Sequence, residues 1–274
     1  MSLIVHISDL HFGRTNASML PVLAASIHAE KPDIVVVSGD LTQRARTREF
    51  LQARAFLDAL PRPQLVVPGN HDIPLFNVMS RWLSPLEKFR RYITADLEPF
   101  YSDEEIAVAG VNTARSWSFK DGRINAGQVA RSCARLNSAP ESLIRLVVTH
   151  HPFALPTMES SQGIVGRAEM AITGFAGCKV DMILSGHLHV SHSTSSLARY
   201  GDTPHAVLLV QAGTAISSRA RGEANSFNVI RVDRRNATVE RRSWNDFGKT
   251  FVESGTERFV LTGNGWRHST ETTG

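Results

Sequence analysis

Acidic, amide and imidazole side chains follow five separate apolar runs of this 274-residue chain, each at the point where the run ends. The runs and the polar residues after them are Leu3 to Ser8 before Asp9 and His11, Ile34 to Val37 before Asp40, Leu65 to Val67 before Asn70, His71 and Asp72, Leu143 to Val148 before His150, and Val180 to Ser185 before His187 and His189. These groups bind metal ions or transfer protons. The pattern indicates chemistry at one shared site.

Taken singly, each of these positions has an ordinary structural explanation. Pro68-Gly69-Asn70 is turn chemistry after a strand, an Asp after Gly39 suits a turn, and a lone His is more often a hydrogen-bonded structural residue than a ligand. In α/β domains, however, ligands collect beyond the carboxyl ends of the strands. Five such ends can therefore bring together groups that are far apart in the sequence.

Spacing within two of the clusters favours a metal site. In Asp9-Leu10-His11 and His187-Leu188-His189 the polar residues are two apart, so a locally extended chain points both in one direction and the Leu in the other. A mixed imidazole and carboxylate set suits Mn, Fe, Zn or Co, whereas oxygen alone would favour Mg or Ca. Since about seven donors are too many for one ion, two divalent ions that share a carboxylate are the economical arrangement.

Helical periodicity alternates with the apolar runs over most of the chain. Helices are predicted over Met19 to Glu30, Thr47 to Leu60, Gly127 to Leu136 and Arg167 to Ala176, and a further strand over Ile106 to Val111. Strands and helices in series predict a layered α/β domain. Beyond Ser185 the alternation stops, and a mainly antiparallel second sheet is predicted from the runs Ala206 to Val210, Phe227 to Val232, Thr238 to Trp244 and Phe259 to Leu261.

One domain is expected over residues 1–262, followed by a loose polar tail over residues 263–274. Within the domain, residues 73–100 interrupt the alternation and are predicted to form an irregular helical excursion. Its apolar side would carry Trp82, Leu86, Phe89 and Tyr92. This excursion could act as a lid over the site or as an interface in a homo-oligomer.

Composition indicates a globular protein, with 42% hydrophobic and 20% charged residues. The net charge of +4 would attract anionic substrates, but together with 7% aromatic residues it is too modest for a dedicated nucleic-acid binder. No apolar run approaches the ~18 residues of a membrane span. Cys133 and Cys178 have no metal-binding spacing and are interpreted as reduced core thiols, and the lack of a signal-peptide pattern favours a cytoplasmic location.

The blocks of polar residues resemble, in order and in type, the signature of the calcineurin-like metallophosphoesterase superfamily. They are Asp9-Leu10-His11, Gly39-Asp40, Gly69-Asn70-His71-Asp72, His150 and Gly186-His187-Leu188-His189. The last block, the doublet before Pro152 and the opening His6-Ile7-Ser8-Asp9-Leu10-His11 resemble the bacterial class III cyclic-nucleotide phosphodiesterases. The resemblance implies a four-layer α-β-β-α sandwich with two mixed central sheets.

The resemblance also implies a role for each residue of the site. One ion would be held by Asp9, His11, Asp40 and His189, and the other by Asp40, Asn70, His150 and His187. A hydroxide bridging the ions would be the nucleophile. His71 would donate to the phosphate, and Asp72 would hold the imidazolium of His71 in place.

The implied substrate is a phosphodiester of small size, with 3′,5′-cyclic nucleotides such as cyclic AMP as one class. Two alternatives remain open. The chain could hydrolyse another phosphodiester or a phosphomonoester, such as a glycerophosphodiester, a phospholipid head group or nucleic acid. It could also be a scaffold that binds metal without turnover, although such a scaffold would be expected to have lost part of the motif.

Several weaker candidates lie near these blocks. His151 is expected to pack behind the ligands, and His192 to lie in a surface loop. The segments Asn112 to Arg115 and Thr214 to Asn225, the latter with Arg219 and Arg221, could meet an anionic group. Arginines on loops are usually solvated, so these segments are left out of the predicted catalytic set.

Overall fold

The computed structural model describes residues 1–75, 78–117, 120–156, 163–201, 203–218 and 223–269. The strands in these ranges are β1 (Ser2–Ile7), β2 (Ile34–Val37), β3 (Gln64–Val66), β4 (Phe100–Ser102), β5 (Ile106–Gly110), β6 (Ile144–Val148), β7 (Met182–Ser185), β8 (His192–Ser195), β9 (Leu208–Gln211), β10 (Ser226–Val232), β11 (Asn236–Asn245), β12 (Thr250–Thr262) and β13 (Gly265–His268). The helices are α1 (Met19–Glu30), α2 (Thr47–Asp58), α3 (Val78–Leu83), α4 (Glu87–Tyr92), α5 (Ala126–Asn137), α6 (Ala168–Gly177) and α7 (Leu197–Tyr200).

The four predicted helices correspond to α1, α2, α5 and α6, and their ends differ from the prediction by two residues at most. Local hydrogen bonds explain where they begin and end. At the start of α5 the side chain of Asn125 accepts from the backbone N–H of Gln128, and α1 ends at Lys31 in the left-handed conformation. In the described part of the chain, no helix combines the length and the apolar character needed to cross a bilayer.

Two mixed sheets form the centre of the molecule. The first has the strand order β13-β12-β11-β10-β1-β2-β3, with β1, β2 and β3 parallel and β10 to β13 antiparallel. The second has the order β4-β5-β6-β7-β9-β8, in which β5, β6, β7 and β9 are parallel and the edge strands β4 and β8 antiparallel. The carboxyl ends of the parallel strands carry the loops with the predicted site residues.

The core consists of three buried layers, and β2 shows how one strand serves two of them. Ile34 and Val36 face the second sheet, whereas Val35 and Val37 face the helices that cover the first sheet. All four side chains are buried, as a continuous apolar run predicts for a strand covered on both sides. A third layer joins the second sheet to α5 and α6. The four-layer α-β-β-α sandwich is thereby confirmed.

The prediction of a mainly antiparallel second sheet at the end of the chain was wrong. β10 to β13 do pair antiparallel, but they extend the first sheet from the free edge of β1. The run that begins at Ala206 instead supplies β9, which lies parallel to β7 in the second sheet. Periodicity reveals which residues form strands, but it carries no information about which sheet edge receives them.

The prediction that both cysteines are reduced was also wrong. Cys133 on α5 and Cys178 at the end of α6 form a disulfide across two packed helices, with their Cα atoms 5.8 Å apart. They are 45 positions apart in the sequence, which gives no indication of this contact. Disulfides persist in oxidising compartments. The expected cytoplasmic location stays a prediction.

The excursion over residues 73–100 contains two six-residue helices, α3 and α4. Residues 84–86, which include Pro85, separate them. Leu86 and Phe89 are buried against the first sheet, as predicted. Trp82 is 48% exposed and lies on the other helix, so it does not belong to that apolar side. Residues 76–77 lie outside the described part of the chain.

The predicted loose tail is wrong for its first half. Gly265–His268 forms β13 on β12, and the side chain of Trp266 is completely buried between the sheets. Its indole Nε1 donates to Oδ1 of Asp181 at 3.1 Å. In the sequence, the signal for this strand was a single aromatic residue, Trp266, within a polar segment. Residues 270–274 lie outside the described part of the chain.

We expect Trp266→Ala to lower the free energy of unfolding by about 3–5 kcal/mol, because it removes a fully buried indole together with its hydrogen bond to Oδ1 of Asp181. Urea denaturation measures this change. Phe247→Ala is the control, since the Phe247 side chain is fully exposed and its loss should change the value by ~0.5 kcal/mol or less. Equal stability of the two variants would show that β13 contributes no core packing.

Candidate metal centre

Three of the predicted ligands meet where the loops after β1 and β7 face each other. Nε2 of His11 and Nε2 of His189 are 3.0 Å apart. Oδ1 of Asp9 lies 3.2 Å from Nε2 of His189 and 3.5 Å from Nε2 of His11. Two imidazole nitrogens and one carboxylate oxygen thus converge on a single point.

A second group of predicted ligands surrounds His150, after β6. Its Nε2 lies 3.1 Å from Oδ1 of Asn70, 3.3 Å from Nδ1 of His187 and 3.3 Å from Oδ1 of Asp40. These residues come from the loops after β2, β3, β6 and β7. The structure therefore brings together residues from both sheets at one edge of the sandwich.

Asp40 connects the two groups. While Oδ1 faces His150, Oδ2 lies 3.7 Å from Nε2 of His11. The backbone N–H of His71 also donates to Oδ1 at 2.8 Å, which fixes the carboxylate between the groups. In four overlapping sets drawn from these residues and from His71 and His151, the ligand atoms lie within 4.8 Å of one another.

The turns that carry these side chains have an unusual backbone conformation. Left-handed φ angles occur at non-glycine residues that carry predicted ligands, namely Asp9 (54°), His11 (48°), Asp40 (52°), His187 (79°) and His189 (63°). For such residues this conformation costs about 1–2 kcal/mol each. Strain that is retained at five ligand positions indicates that the surrounding structure holds them for a function.

Glycine permits the close approach of the loops at two points. A Cβ on Gly69 would lie 2.1 Å from Oδ1 of Asp40, and a Cβ on Gly186 would lie 1.8 Å from Oγ of Ser8. Both distances are impossible for real atoms. The glycines before Asn70 and His187 therefore allow the ligands to reach the centre.

The ionisable groups at the centre shift one another's pKa values. Burial alone would raise the pKa of Asp9, but the imidazoles of His189 and His11 outweigh it and hold this pKa well below its usual range. Asp40 has a lowered pKa for the same reason, with His150 and His71 as its main partners. Burial and the neighbouring His150 lower the pKa of His187 to about 3. Burial lowers the pKa of His150, but the charge of Asp40 outweighs it and raises this pKa to about 9. Ionised carboxylates and the neutral imidazole of His187 suit metal ligation, whereas His150 must lose its proton when a metal ion binds.

Hydrogen bonds behind the centre orient its ligands. Oδ2 of Asp9 accepts from Oγ of Ser8 at 2.6 Å and from the backbone N–H of His187 at 2.9 Å. Nδ1 of His150 donates to the carbonyl of Ser38 at 2.8 Å, which turns Nε2 toward the centre. Thr214 anchors the loop after β1, because its Oγ1 donates to the carbonyl of Asp9 at 2.7 Å. The roles of Ser8 and Ser38 were not predicted, because their only signal in the sequence is that each stands close before a ligand.

This arrangement fits divalent metal ions. Among the described residues, Oδ1 of Asp9 has no hydrogen-bond partner, although it is buried beside two imidazole nitrogens. Two Nε2 atoms at 3.0 Å and a buried carboxylate oxygen are hard to satisfy with protons alone, and a cation between them satisfies all three. Nitrogen ligands mixed with oxygen ligands suit transition metals better than Mg or Ca.

The predicted catalytic pair lies at the rim of the centre. The ring of His71 is 4.9 Å from the ring of His11, and its Nδ1 donates to the carbonyl of Gln43 at 2.9 Å. The carboxylate of Asp72 accepts from the backbone N–H groups of Gly69 (2.9 Å) and Thr42 (2.9 Å). Burial and the charge of Asp40 raise the pKa of Asp72 to about 6. The resemblance implied that Asp72 holds the imidazolium of His71, but the carbonyl of Gln43 accepts from Nδ1 of that ring. Asp72 instead ties together the loops after β2 and β3.

The weaker candidates have different environments. His151 is buried, with Nε2 donating to the carbonyl of Lys120 at 2.9 Å and Nδ1 2.8 Å from Oγ1 of Thr113. It packs behind His187, as expected. His192 begins the edge strand β8, whereas a surface loop was predicted. Arg115 donates to Oε1 of Gln128 at 2.6 Å, and Arg219 and Arg221 lie outside the described residues.

Comparisons with known proteins find a phosphoesterase family and two phosphodiesterases that are similar to this chain. A sequence model of the family described as "Calcineurin-like phosphoesterase" matches residues 2–191. A glycerophosphodiester phosphodiesterase of Enterobacter lignolyticus is 41% identical over 81 residues, which are 26% of this chain and only 29% of that relative. A probable cyclic nucleotide phosphodiesterase of a Synechococcus species is 25% identical over 199 residues, 68% of this chain and 72% of the relative.

Among solved structures, a dimetal phosphatase from Danio rerio has the same fold. It superimposes with a TM-score of 0.64 over 92% of this chain and 98% of that chain, at 14% sequence identity. At so low a sequence identity, the similarity shows a shared architecture but does not show a shared activity.

We expect Gly69→Ala to lower metal affinity by about 10-fold or more, because the new Cβ would displace the carboxylate of Asp40. The ions retained per chain after dialysis against a weak chelator measure this loss. The matched control is Gly177→Ala, where a Cβ would meet no atom within 4 Å. Equal metal content in the two variants would contradict the close approach of Gly69 to Asp40.

Proposed function

Because the chain belongs to the calcineurin-like phosphoesterase family, we propose that it is a phosphodiesterase that uses two divalent metal ions held on either side of Asp40. The observation that carries this proposal is the convergence of seven donor side chains from five loops, with Asp40 between two groups of them. A structural role for these residues would not require strained backbone at five ligand positions on three turns.

In this proposal the ligands divide as the family resemblance implies. One ion is held by Asp9, His11, Asp40 and His189, and the other by Asp40, Asn70, His150 and His187. Such ions supply Lewis-acid activation of a phosphate and of an attacking water. Manganese, iron, zinc or cobalt suits this mixed donor set.

The chain's own contribution beyond metal binding centres on His71. His71 and the proposed ligand His187 are partly exposed, whereas the other six proposed ligands are buried. Substrate therefore approaches from the side of His71 and His187. With Nδ1 held by the carbonyl of Gln43, the ring of His71 is fixed beside the centre. A protonated His71 would donate a hydrogen bond to the phosphate oxygens that gain charge during hydrolysis. Asp72 maintains this geometry through the loops that it ties together.

A diester is preferred to a monoester as the substrate. Both curated relatives are named as phosphodiesterases, one of glycerophosphodiesters and one of cyclic nucleotides. A single negative charge per phosphate matches a centre in which two carboxylates already offset half of the charge of two divalent ions. We include cyclic nucleotides in the proposed substrate class.

Removal of metal with a chelator, followed by addition of Mn, Fe, Zn, Co or Mg separately, tests the proposal. Hydrolysis of bis(p-nitrophenyl) phosphate should disappear on chelation and return with a transition metal, and it should exceed hydrolysis of p-nitrophenyl phosphate. Faster turnover of the monoester would overturn the preference for diesters. Inactivity with every metal would favour a metal-binding scaffold instead.

We expect His71→Ala to retain its metal ions and to lower kcat by ~10²-fold or more, the usual loss for one preorganised donor at a transition state. Metal analysis and steady-state kinetics on the same preparation separate the two effects. His71→Asn, which keeps a donor of similar size, should recover part of the loss. Unchanged turnover in His71→Ala would remove this residue from the mechanism.

A further inference from the structure

A groove of about 530 Å³ opens between the loop after β3, including α3 and α4, and the loop after β5. We call it the tryptophan groove and define it by Ile73, Leu83, Leu86, Ala114 and Trp117. Its volume falls in the range of small-molecule sites, about 300–1,000 Å³. None of the residues that define it belongs to the proposed metal ligands.

The tryptophan groove is lined by residues that lie next to those of the metal centre in the chain. The ends of β3 and β5 pack so tightly that a Cβ on Gly110 would lie 2.9 Å from Cγ1 of Val67. Val67 leads directly into Asn70 and His71, and Gly110 leads into the loop of Ala114. Ile73 on the floor of the groove follows Asp72, and Ala114 follows Thr113, which contacts His151. A group attached to a phosphate at the centre is therefore within reach of the groove.

Arg81 holds the two walls of the groove together. Its side chain is only 4% exposed, Nε donates to the carbonyl of Ser116 at 2.6 Å, and Nη1 donates to the carbonyl of Pro74 at 3.1 Å. Bonds from a charged donor are stronger than neutral ones, so a single residue joins both loops firmly. The short helices α3 and α4 thus form a preformed wall.

The rim of the groove exposes two large aromatic rings. Trp117 is 80% and Trp82 48% exposed, and their ring centroids are 3.9 Å apart in an edge-to-face arrangement. Leu83 beside them is 73% exposed. Contiguous exposed apolar side chains of this size mark binding surfaces. An indole face stacks readily on flat ring systems.

The polar groups of the groove give it little net charge. The guanidinium of Arg115 is engaged with Oε1 of Gln128 and with the carbonyls of Asn112 and Ala114. Arg90 and Glu87, which also line the groove, carry opposite charges. With Arg90, Arg115 and Glu87 as its charged lining residues, the groove has a formal charge of only +1. It therefore suits a flat, uncharged group better than an ammonium head group.

We propose that the tryptophan groove binds the organic group of the phosphodiester and selects ring-bearing esters, such as nucleotides and aryl esters, over glycerol-based ones. This inference rests on the proposed function, because the groove selects among substrates of the metal centre. Trp117 supplies the stacking face and Trp82 supports it from the side. Arg81 is a positioning residue.

The test compares kcat/KM for 3′,5′-cyclic AMP and thymidine 5′-p-nitrophenyl phosphate with kcat/KM for glycerophosphoethanolamine. Trp117→Ala should lower the value for the two ring-bearing diesters by about 10-fold or more, the loss of one stacking contact, and change the value for glycerophosphoethanolamine by less than about 2-fold. Trp117→Phe should restore most of the activity. Phe247→Ala, which removes a fully exposed ring on the hairpin of β11 and β12, should change neither.

The outcomes separate the two proposals. Unchanged metal content in Trp117→Ala, together with selective loss on ring-bearing diesters, supports the groove. Equal losses on both substrate classes, or no loss on either, would overturn the inference and leave the proposed function intact. Failure of the wild-type protein to hydrolyse any diester would overturn both.

Discussion

The carboxylate of Asp40 is buried where loops from both sheets meet, and this position determines much of the surrounding structure. Burying an ionised carboxylate costs several kcal/mol unless charged or hydrogen-bonding groups surround it. Here His150, His11 and the backbone N–H of His71 do so, and each comes from a different loop. The loops must therefore be held to within a fraction of an ångström, although five ligand residues on them are strained. Strain of about 1–2 kcal/mol at five positions approaches the whole stability of a typical domain, ~5–15 kcal/mol. Only rigid sheets, packed on both faces, can retain it.

This dependence explains what the sequence could predict. The apolar runs and the polar residues at their ends were sufficient for the central strands and for the seven converging side chains, because a parallel sheet places all its carboxyl ends at one edge. The family resemblance added the two-sheet sandwich. The role of Asp72 was harder, since its contacts with Gly69 and Thr42 depend on how two loops pack. The disulfide between Cys133 and Cys178, the burial of Trp266 and the sheet joined by β10 are likewise long-range contacts that leave no local pattern.

The metal centre and the tryptophan groove differ in how they are built. The centre uses residues fixed by strand ends, so its geometry follows from the fold and is expected wherever the motif is intact. The groove is formed by an excursion of two short helices and by the loop of Trp117, held together by Arg81. Segments of this kind can change in length and composition without disturbing the sheets. A common reaction centre can thus be combined with different neighbouring surfaces, which is how one fold comes to act on chemically different esters.

The position of β1 has a consequence for folding. β1 lies between β2, which follows it closely in the chain, and β10, whose residues Ser226 to Val232 are more than 200 positions away. During synthesis on the ribosome, one edge of this apolar strand must stay unpaired until Ser226 and the residues after it have emerged. Unpaired strand edges invite pairing with other chains. The turn of Asp9 and His11 at the end of β1 also depends on a late segment, because Oγ1 of Thr214 donates to the carbonyl of Asp9 and the N–H of Ala215 donates to the carbonyl of Ser8. The metal centre can therefore acquire its final geometry only late in folding, after the nascent chain has passed through its most aggregation-prone stage.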